Sequence, residues 1–199
     1  GLLLALGLTT AHASVGGFLY EHNRAFEAWL AGLDEHRLTV NGVSWHYYAR
    51  HTERAETCLV LVHGFTAEAA NWFRFALRLD RDRCLIVPDL PGFGESDYRP
   101  QLSFRIPAQT ARLKDFLAVV KPGASFDLAG SSMGGHIALR YALEYPAEVR
   151  SLALFDAGGI TSPQPSDNSR QIAATGRNSF DIRRREDFEP FLRMGMHEV

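Results

Sequence analysis

The chain has 199 residues, enough for one domain with a sizeable core. Apolar residues make up 46% and charged residues 22%, a balance typical of globular proteins that argues against disorder. With 21 basic and 23 acidic side chains and no basic patch, the sequence argues against nucleic acid as a partner.

The first predicted element is the most apolar stretch of the chain, GLLLALGLTTAHASVGGFLY at residues 1–20. Its length matches a membrane-spanning helix, so we expect a single N-terminal anchor. Two alternatives stay open. AHA at 11–13 fits the cleavage site of a secretory signal peptide, and the segment also suits a helix packed on the domain. Gly7 and Ala11 form a small-xxx-small pair, a pattern found in helix dimers, so a homodimer is possible.

The helical pattern continues to residue 33. Phe26, Trp29, Leu30 and Leu33 fall at i, i+3, i+4 and i+7, which predicts one apolar stripe on a helix. This stripe either lies on the membrane surface or docks on the domain. We therefore treat residues 1–33 as an anchor with an amphipathic helix.

Residues 34–160 alternate between strand and helix. HRLTVNGVSWHYYARH predicts a hairpin that turns at Asn41 and Gly42. Four apolar runs predict strands buried on both faces, namely TCLVLVHGF, RCLIVPDLPGFGES, SFDLAGSS and VRSLALFDAGG. Between them lie the predicted helices NWFRFALRL, PAQTARLKDFLAVV and MGGHIALRYALEYP. This order predicts an α/β fold with a mostly parallel sheet and flanking helices.

Beyond residue 160 the composition changes. ITSPQPSDNSRQ predicts a loop that leaves the sheet, and Phe188, Phe191 and Leu192 then recur at helical spacing. We interpret residues 161–199 as the beginning of a helical cap or lid. Its aromatic side chains either line an acyl pocket or form the cap's own core.

The cysteines and histidines do not indicate a metal. Cys58 and Cys84 each begin an apolar run, which predicts two small buried thiols. A disulfide between them would need an oxidising compartment and close Cα atoms. No His or Cys cluster has metal-ligand spacing, so we expect neither a metal nor another cofactor.

The segment LAGSSMGGHIAL at 128–139 predicts a nucleophile. Ser132 is the central residue of a Gly-x-Ser-x-Gly motif between a predicted strand and a predicted helix, the context that raises a serine hydroxyl above the sheet. HGF at 63–65 ends the first buried strand and faces this turn. Phe65 and Met133 are therefore the expected backbone donors of an oxyanion hole. We expect His63 to shape its loop by hydrogen bonding and not to act as a base.

Four segments together resemble a known family. LVLVHGFTAEAANWFRFA, VPDLPGFGESD, LAGSSMGGHIALRYALEYPAEVRSLALFDAGGI and GRNSFD are similar to the α/β-hydrolases, over roughly residues 38 to 192. Within that superfamily they resemble the branch of bacterial lipases and monoacylglycerol lipase-like enzymes. Several members of this branch are membrane-anchored and some act on lysophospholipids or phospholipids. The resemblance implies a place at the bacterial inner membrane, with a secreted or periplasmic protein as the alternative.

The resemblance also raises the question of the general base. The family places an acid and then a histidine after later strands, and no histidine of this chain fits that position. Asp156 is the only acid at a strand end after the serine, a position used by other hydrolases of this fold. We therefore expect a C-terminally incomplete enzyme, with the triad Asp and His beyond Val199.

The function implied is hydrolysis of lipid acyl esters, namely monoacylglycerol, lysophospholipid or phospholipid, through an acyl-enzyme on Ser132. A carbon–carbon bond hydrolase of ring-cleavage products is an alternative, because that family shares SMGG after a serine. A catalytically incomplete binding protein on the same scaffold is the alternative from another class. A dehalogenase or an epoxide hydrolase is disfavoured, because position 132 is Ser and not Asp.

Overall fold

The computed structural model describes residues 2–160, 163–178 and 180–195, with the side chains of residues 15–160 and most of those beyond. Two compact units divide the chain, Gly1–Gly159 and Ile160–Val199. The first contains α1 (Leu2–Leu30), β1 (Asp34–Val40), β2 (Val43–Arg50), β3 (Thr57–Val62), a 3₁₀ turn (Ala69–Trp72), α2 (Phe73–Ala76), β4 (Leu85–Pro88), α3 (Ile106–Val120), β5 (Ser125–Ser131), α4 (Met133–Glu144) and β6 (Val149–Phe155). The second contains α5 (Asp167–Thr175) and α6 (Phe188–Gly195).

The six described strands form one sheet in the order β1-β2-β4-β3-β5-β6. β1 pairs with β2 and β2 with β4 in antiparallel fashion, whereas β3 pairs with β4, β3 with β5 and β5 with β6 in parallel. The α/β architecture with a mostly parallel sheet is therefore confirmed. The predicted hairpin is confirmed as well, since Asn41 and Gly42 turn with φ of 50° and 77°.

β3, β4 and β5 are covered on both faces, which explains why they read as continuous apolar runs. The same prediction is wrong for β6 in the structure described, because β5 is its one neighbour in the sheet and its side chains are exposed or half-buried. Along β3 the residues alternate between two cores: Val60 belongs to one and Leu61 to the other. The first core packs under α3 and α4 through Phe116 and Tyr141, and the second contains Phe73 of α2. Ser132 follows β5, a buried strand that lies between β3 and β6 in the described sheet.

The end of α1 and the turn that follows it dock on the domain mainly through small side chains. Ala28, Ala31 and Leu33 are buried in the second core, whereas Phe26 and Trp29 stack on each other and stay exposed, Trp29 by 71%. The predicted stripe is therefore divided: Leu33 packs in the second core, whereas Phe26 and Trp29 do not, because small alanines allow the closest approach of the chain. The larger rings are left on the outer face.

No helix in the described part of the chain has both the length and the apolarity that crossing a membrane requires. Most of the expected anchor at residues 1–20, including Gly7 and Ala11, falls on side chains outside the described residues.

The two cysteines form a disulfide, so the prediction of two free thiols is wrong. Cys58 on β3 and Cys84 just before β4 lie with their Cα atoms 4.6 Å apart and are bonded to each other. Their strands are neighbours in the sheet although 26 residues separate the cysteines in sequence. The spacing alone could not reveal this pairing, because strand order is a property of the whole sheet.

The second unit contains the predicted helix that carries Phe188 and Phe191, whose rings lie 6.1 Å apart. It also contains α5, which the sequence suggested as loop. The side chain of Ser166 caps this helix by accepting a hydrogen bond from the N–H of Ser169, and Gly176 ends it with φ of 69°. The identification of this unit as a cap remains a prediction.

Candidate active site

Ser132 occupies the sharp turn between β5 and α4. Its backbone has φ of 51° and ψ of −116°, a conformation that non-glycine residues rarely adopt and that marks stored strain. Three main-chain hydrogen bonds hold the turn: the N–H of Ser132 donates to the carbonyl of Phe155 at 2.9 Å, and its own carbonyl accepts from the N–H groups of His136 and Gly158. The end of β6 therefore fixes the candidate nucleophile from its neighbouring strand.

The glycines of the motif are needed because the backbone packs closely there. A Cβ at Gly130 would collide with the backbone of Gly134, and a Cβ at Gly134 would collide with the carbonyl groups of Val62 and His63. The turn at Ser132 therefore packs directly against the end of β3. The sequence spacing of glycines around Ser132 thus follows from the space available at the turn.

The loop after β3 lies directly against the nucleophile. A Cβ built on Gly64 would lie 3.2 Å from Cβ of Ser132 and 3.8 Å from its Oγ. Phe65 is the next residue of that loop, and Met133 is the first residue of α4, whose N-terminal end carries a partial positive charge. The structure thus brings all three predicted site residues to one place.

His63 links two loops, as predicted. Its Nε2 accepts a hydrogen bond from the N–H of Leu90 at 3.0 Å, so Nδ1 carries the proton and donates to the carbonyl of Gly64 at 2.8 Å. Burial lowers the pKa of His63 and keeps the ring neutral. With both nitrogens engaged by backbone, His63 is a fixed part of the loop and is not free to take a proton from Ser132.

No other histidine in the described part of the chain contacts the hydroxyl of Ser132. His136 packs its ring against Gly159, and His46 is buried on β2. His22, His36 and His51 are exposed elsewhere, and the side chains of His12 and His197 lie outside the described residues. Asp156 follows β6 with φ of 44°, one residue beyond the carbonyl that holds Ser132.

A cavity of about 390 Å³ opens beside Ser132. Its size lies within the range of small-molecule sites. Four aromatic side chains form much of its wall, and backbone of the loop after β3 and of the nucleophile turn forms the rest. The lining residues are His63, Gly64, Phe65, Ala67, Asn71, Trp72, Phe75, Ser131, Ser132 and Phe155.

Asp89, at the end of β4, holds together the loops that border this site. Its carboxylate accepts hydrogen bonds from the backbone N–H of Ala69 at 2.7 Å and of Glu95 at 3.0 Å, and from Nδ1 of His46 at 2.6 Å. Burial acts to raise the pKa of Asp89, but these hydrogen bonds outweigh it and lower the pKa. The carboxylate therefore stays charged and fixes the loops after β3 and β4.

His46 bridges this carboxylate and that of Glu35, whose Oε1 lies 2.9 Å from Nε2. Burial acts to lower the pKa of His46, yet hydrogen bonds to the two carboxylates outweigh it and raise the pKa. Sequence reasoning missed this network. The one available signal was an acid directly after a buried strand in LIVPDL, which reads equally well as a loop residue.

Glu35, His46 and Glu95 place three potential metal ligands within 4.8 Å of one another. Their potential ligand atoms already form hydrogen bonds or ion pairs with other protein groups, however. His46 uses both ring nitrogens, and Glu95 forms ion pairs with Arg24 and Arg37. The cluster is accordingly an ion-pair network that ties β1, β2 and α1 to the loop after β4.

Comparisons with known proteins agree with this geometry. A family model described as alpha/beta hydrolase fold matches residues 57–195. Lipase 1 of Psychrobacter immobilis is 34% identical over 169 residues, which cover 85% of this chain and 51% of that protein. Lipase 3 of a Moraxella species is 31% identical over 186 residues, covering 94% of this chain and 58% of that protein.

Among solved structures, the crystal structure of a membrane phospholipase A, described as a bacterial virulence factor, aligns with a TM-score of 0.81 at 38% identity. The alignment covers 96% of this chain and 62% of that one. A putative lipase from Acinetobacter baumannii aligns with a TM-score of 0.77 at 30% identity, covering 87% and 57%. The chain thus spans about half the length of the curated relatives it matches.

Proposed function

This chain belongs to the α/β-hydrolase fold family, and we propose that the protein is a serine hydrolase of lipid acyl esters. The candidate substrates are monoacylglycerols, lysophospholipids and phospholipids. The observation that carries the proposal is Ser132, held at a strained strand-to-helix turn beside a largely aromatic cavity. The similarity to two lipases and to a membrane phospholipase A supports the lipid substrate.

In the proposed reaction, Oγ of Ser132 attacks the carbonyl carbon of the ester while a general base takes the hydroxyl proton. The bond from the carbonyl carbon to the alcohol oxygen then breaks, and the alcohol leaves with that proton. Water next attacks the acyl-enzyme, the fatty acid departs, and the serine hydroxyl is restored. The sum is ester plus water giving acid plus alcohol, with no change of oxidation state.

We assign the oxyanion hole to the backbone N–H groups of Phe65 and Met133. The close approach of Gly64 to Ser132 supports Phe65, and the position of Met133 at the first turn of α4 supports the second donor. In this assignment the two N–H groups and the N-terminal end of α4 stabilise the negative charge on the tetrahedral intermediate.

We infer that the general base and its orienting acid come from parts of the full-length protein outside the described residues. The histidines of the described part do not reach Oγ of Ser132, and the chain spans about half the length of the related lipases. Asp156 is the alternative acid within the described part, by its position after β6.

We propose that the protein works at a membrane surface, on the side of the membrane that faces an oxidising compartment. The exposed outer face of α1 supports contact with lipid, because Phe18, Leu19, Phe26 and Trp29 all present large apolar side chains there. The Cys58–Cys84 disulfide supports a periplasmic or extracellular location for the domain, since such bonds persist in oxidising compartments.

The test is covalent labelling of the full-length protein with a fluorophosphonate probe, followed by intact mass and peptide mapping. We expect one adduct on Ser132 and ester turnover in the wild type. The Ser132→Ala variant should lose both with an unchanged circular dichroism spectrum, whereas Ser103→Ala, at an exposed serine, should keep both. Labelling of Ser132→Ala, or turnover by it, would show that another residue is the nucleophile. A folded wild type with neither adduct nor turnover would favour a binding protein on this scaffold.

A further inference from the structure

Three aromatic rings beside the candidate nucleophile form a closed cluster from two distant parts of the chain. Trp72 and Phe75 come from the 3₁₀ turn and α2 that follow β3, and Phe155 ends β6. Their ring centroids lie 5.5 Å (Trp72 to Phe75), 5.7 Å (Trp72 to Phe155) and 6.0 Å (Phe75 to Phe155) apart, all edge to face. This is the spacing at which aromatic pairs stabilise one another.

The cluster lines the same cavity of about 390 Å³ as Ser132. Among the described residues that line it, none is Asp, Glu, Lys or Arg, and the pKa of His63 is lowered by burial. Asn71 is the one amide. A charged headgroup or a carboxylate-bearing ring-cleavage product would find no ionic partner on this wall, whereas a hydrocarbon chain would lose its hydration against the rings.

The three rings differ in how deeply they are buried. Trp72 is buried, Phe75 is half-buried, and Phe155 is 42% exposed. The main chain of Phe155 is nonetheless fixed, because its carbonyl accepts the N–H of Ser132. The distance from the nucleophile to this ring is therefore constrained by backbone, which is what a site that measures chain length requires.

We propose that Trp72, Phe75 and Phe155 form the site for the acyl chain, and that Phe75 is the residue that sets the preferred chain length. This inference rests on the proposed function, since it assigns the acyl half of the ester to one wall of that site. Phe75 is the ring with both partial burial and access to the cavity, so changing its size changes the room for hydrocarbon without removing a core side chain.

The assay is kcat/KM of the full-length protein on a p-nitrophenyl ester series from acetate to laurate. We expect each methylene that enters the cavity to raise kcat/KM about fourfold, the equivalent of about 0.8 kcal/mol, until the chain fills the space. Phe75→Ala should move the optimum to longer esters and Phe75→Trp to shorter ones. Within each variant, kcat/KM on every ester is divided by that on acetate, so that a general loss of activity cancels and only the change in chain-length preference remains.

Three further variants separate packing from specificity. Phe155→Ala should reduce the gain in kcat/KM per methylene. Phe75→Leu is a milder truncation that serves if Phe75→Ala does not fold, and its preferred chain length should fall between those of the wild type and Phe75→Ala. Tyr98→Ala removes an exposed ring that does not line the cavity and should reproduce the wild-type profile. Identical profiles for Phe75→Ala and Phe75→Trp, or an equal loss on every ester including acetate, would overturn the proposal.

A binding measurement distinguishes failure of the acyl site from failure of the proposed function. In the Ser132→Ala background, calorimetry with the uncharged methyl esters from hexanoate to laurate should show a length preference that Phe75→Ala shifts upward. A shifted binding series without ester hydrolysis in the wild type would support the acyl site and reject the esterase. Ester hydrolysis with neither series responding to Phe75 would reject the acyl site and leave the esterase standing.

Discussion

Breaking the Cys58–Cys84 disulfide should lower the free energy of unfolding by about 3.5 kcal/mol at 25 °C. The bond closes a loop between residues 26 apart in sequence. The chain-entropy relation for a loop of that length gives about 12 cal/mol/K, which is about 3.5 kcal/mol at this temperature. For a protein of this size the loss corresponds to a fall in melting temperature of about 7–14 °C.

The assay compares thermal unfolding of the oxidised wild type, the wild type refolded in dithiothreitol, and a Cys58→Ala/Cys84→Ala double variant. Both sulfur atoms are buried, so the double variant also loses packing and should be less stable than the reduced wild type. The difference between the oxidised and reduced wild type isolates the cross-link. Two free thiols titrated in the unreduced, denatured wild type would refute the reasoning, as would melting temperatures equal within about 2 °C.

Two other predictions concern charge and location. The carboxylate of Asp127 binds Arg83, Arg150 and Ser151, and hydrogen bonds from Arg150 lower its pKa to about 2. Because this pKa lies below that of an unfolded Asp, the ionised carboxylate should add about 1–2 kcal/mol to the free energy of unfolding above pH 4. That contribution is lost as the pH falls toward 2. In urea unfolding, the free energy of Asp127→Asn should lack this fall between pH 4 and pH 2, whereas the exposed control Asp82→Asn should keep it. An equal dependence on pH in both variants would contradict the assignment. Deleting residues 1–20 should move the full-length protein from the membrane to the soluble fraction on ultracentrifugation, and an unchanged distribution would remove the case for an anchor there.

The sequence was a good guide to everything that depends on local periodicity. Buried strands such as β3 and β5 appear as apolar runs because both faces of the sheet are covered, and the turn at Asn41 and Gly42 follows from residues that tolerate positive φ. The nucleophile turn at Ser132 was predictable for the same reason. Its glycines are dictated by backbone contacts within a few residues of the turn and with the neighbouring strand end.

What the sequence did not reveal depends on which elements become neighbours. The disulfide requires β3 beside β4, and the contacts of Asp89 require the loops after β3 and β4 to meet the hairpin. The docking of α1 through Ala28 and Ala31 was hidden for a different reason. Hydrophobic periodicity favours the face with the largest side chains, whereas close packing here favours the smallest.

At Phe155 the main chain positions the nucleophile and the side chain shapes the cavity, so these two properties of the site depend on different atoms. Its carbonyl oxygen holds the backbone of Ser132, and every residue type at this position would supply the same oxygen. Its side chain lines the cavity, and that part is free to vary. Substitutions at position 155 can therefore explore new substrates during evolution, or in directed design, while the geometry of the attacking hydroxyl is inherited unchanged.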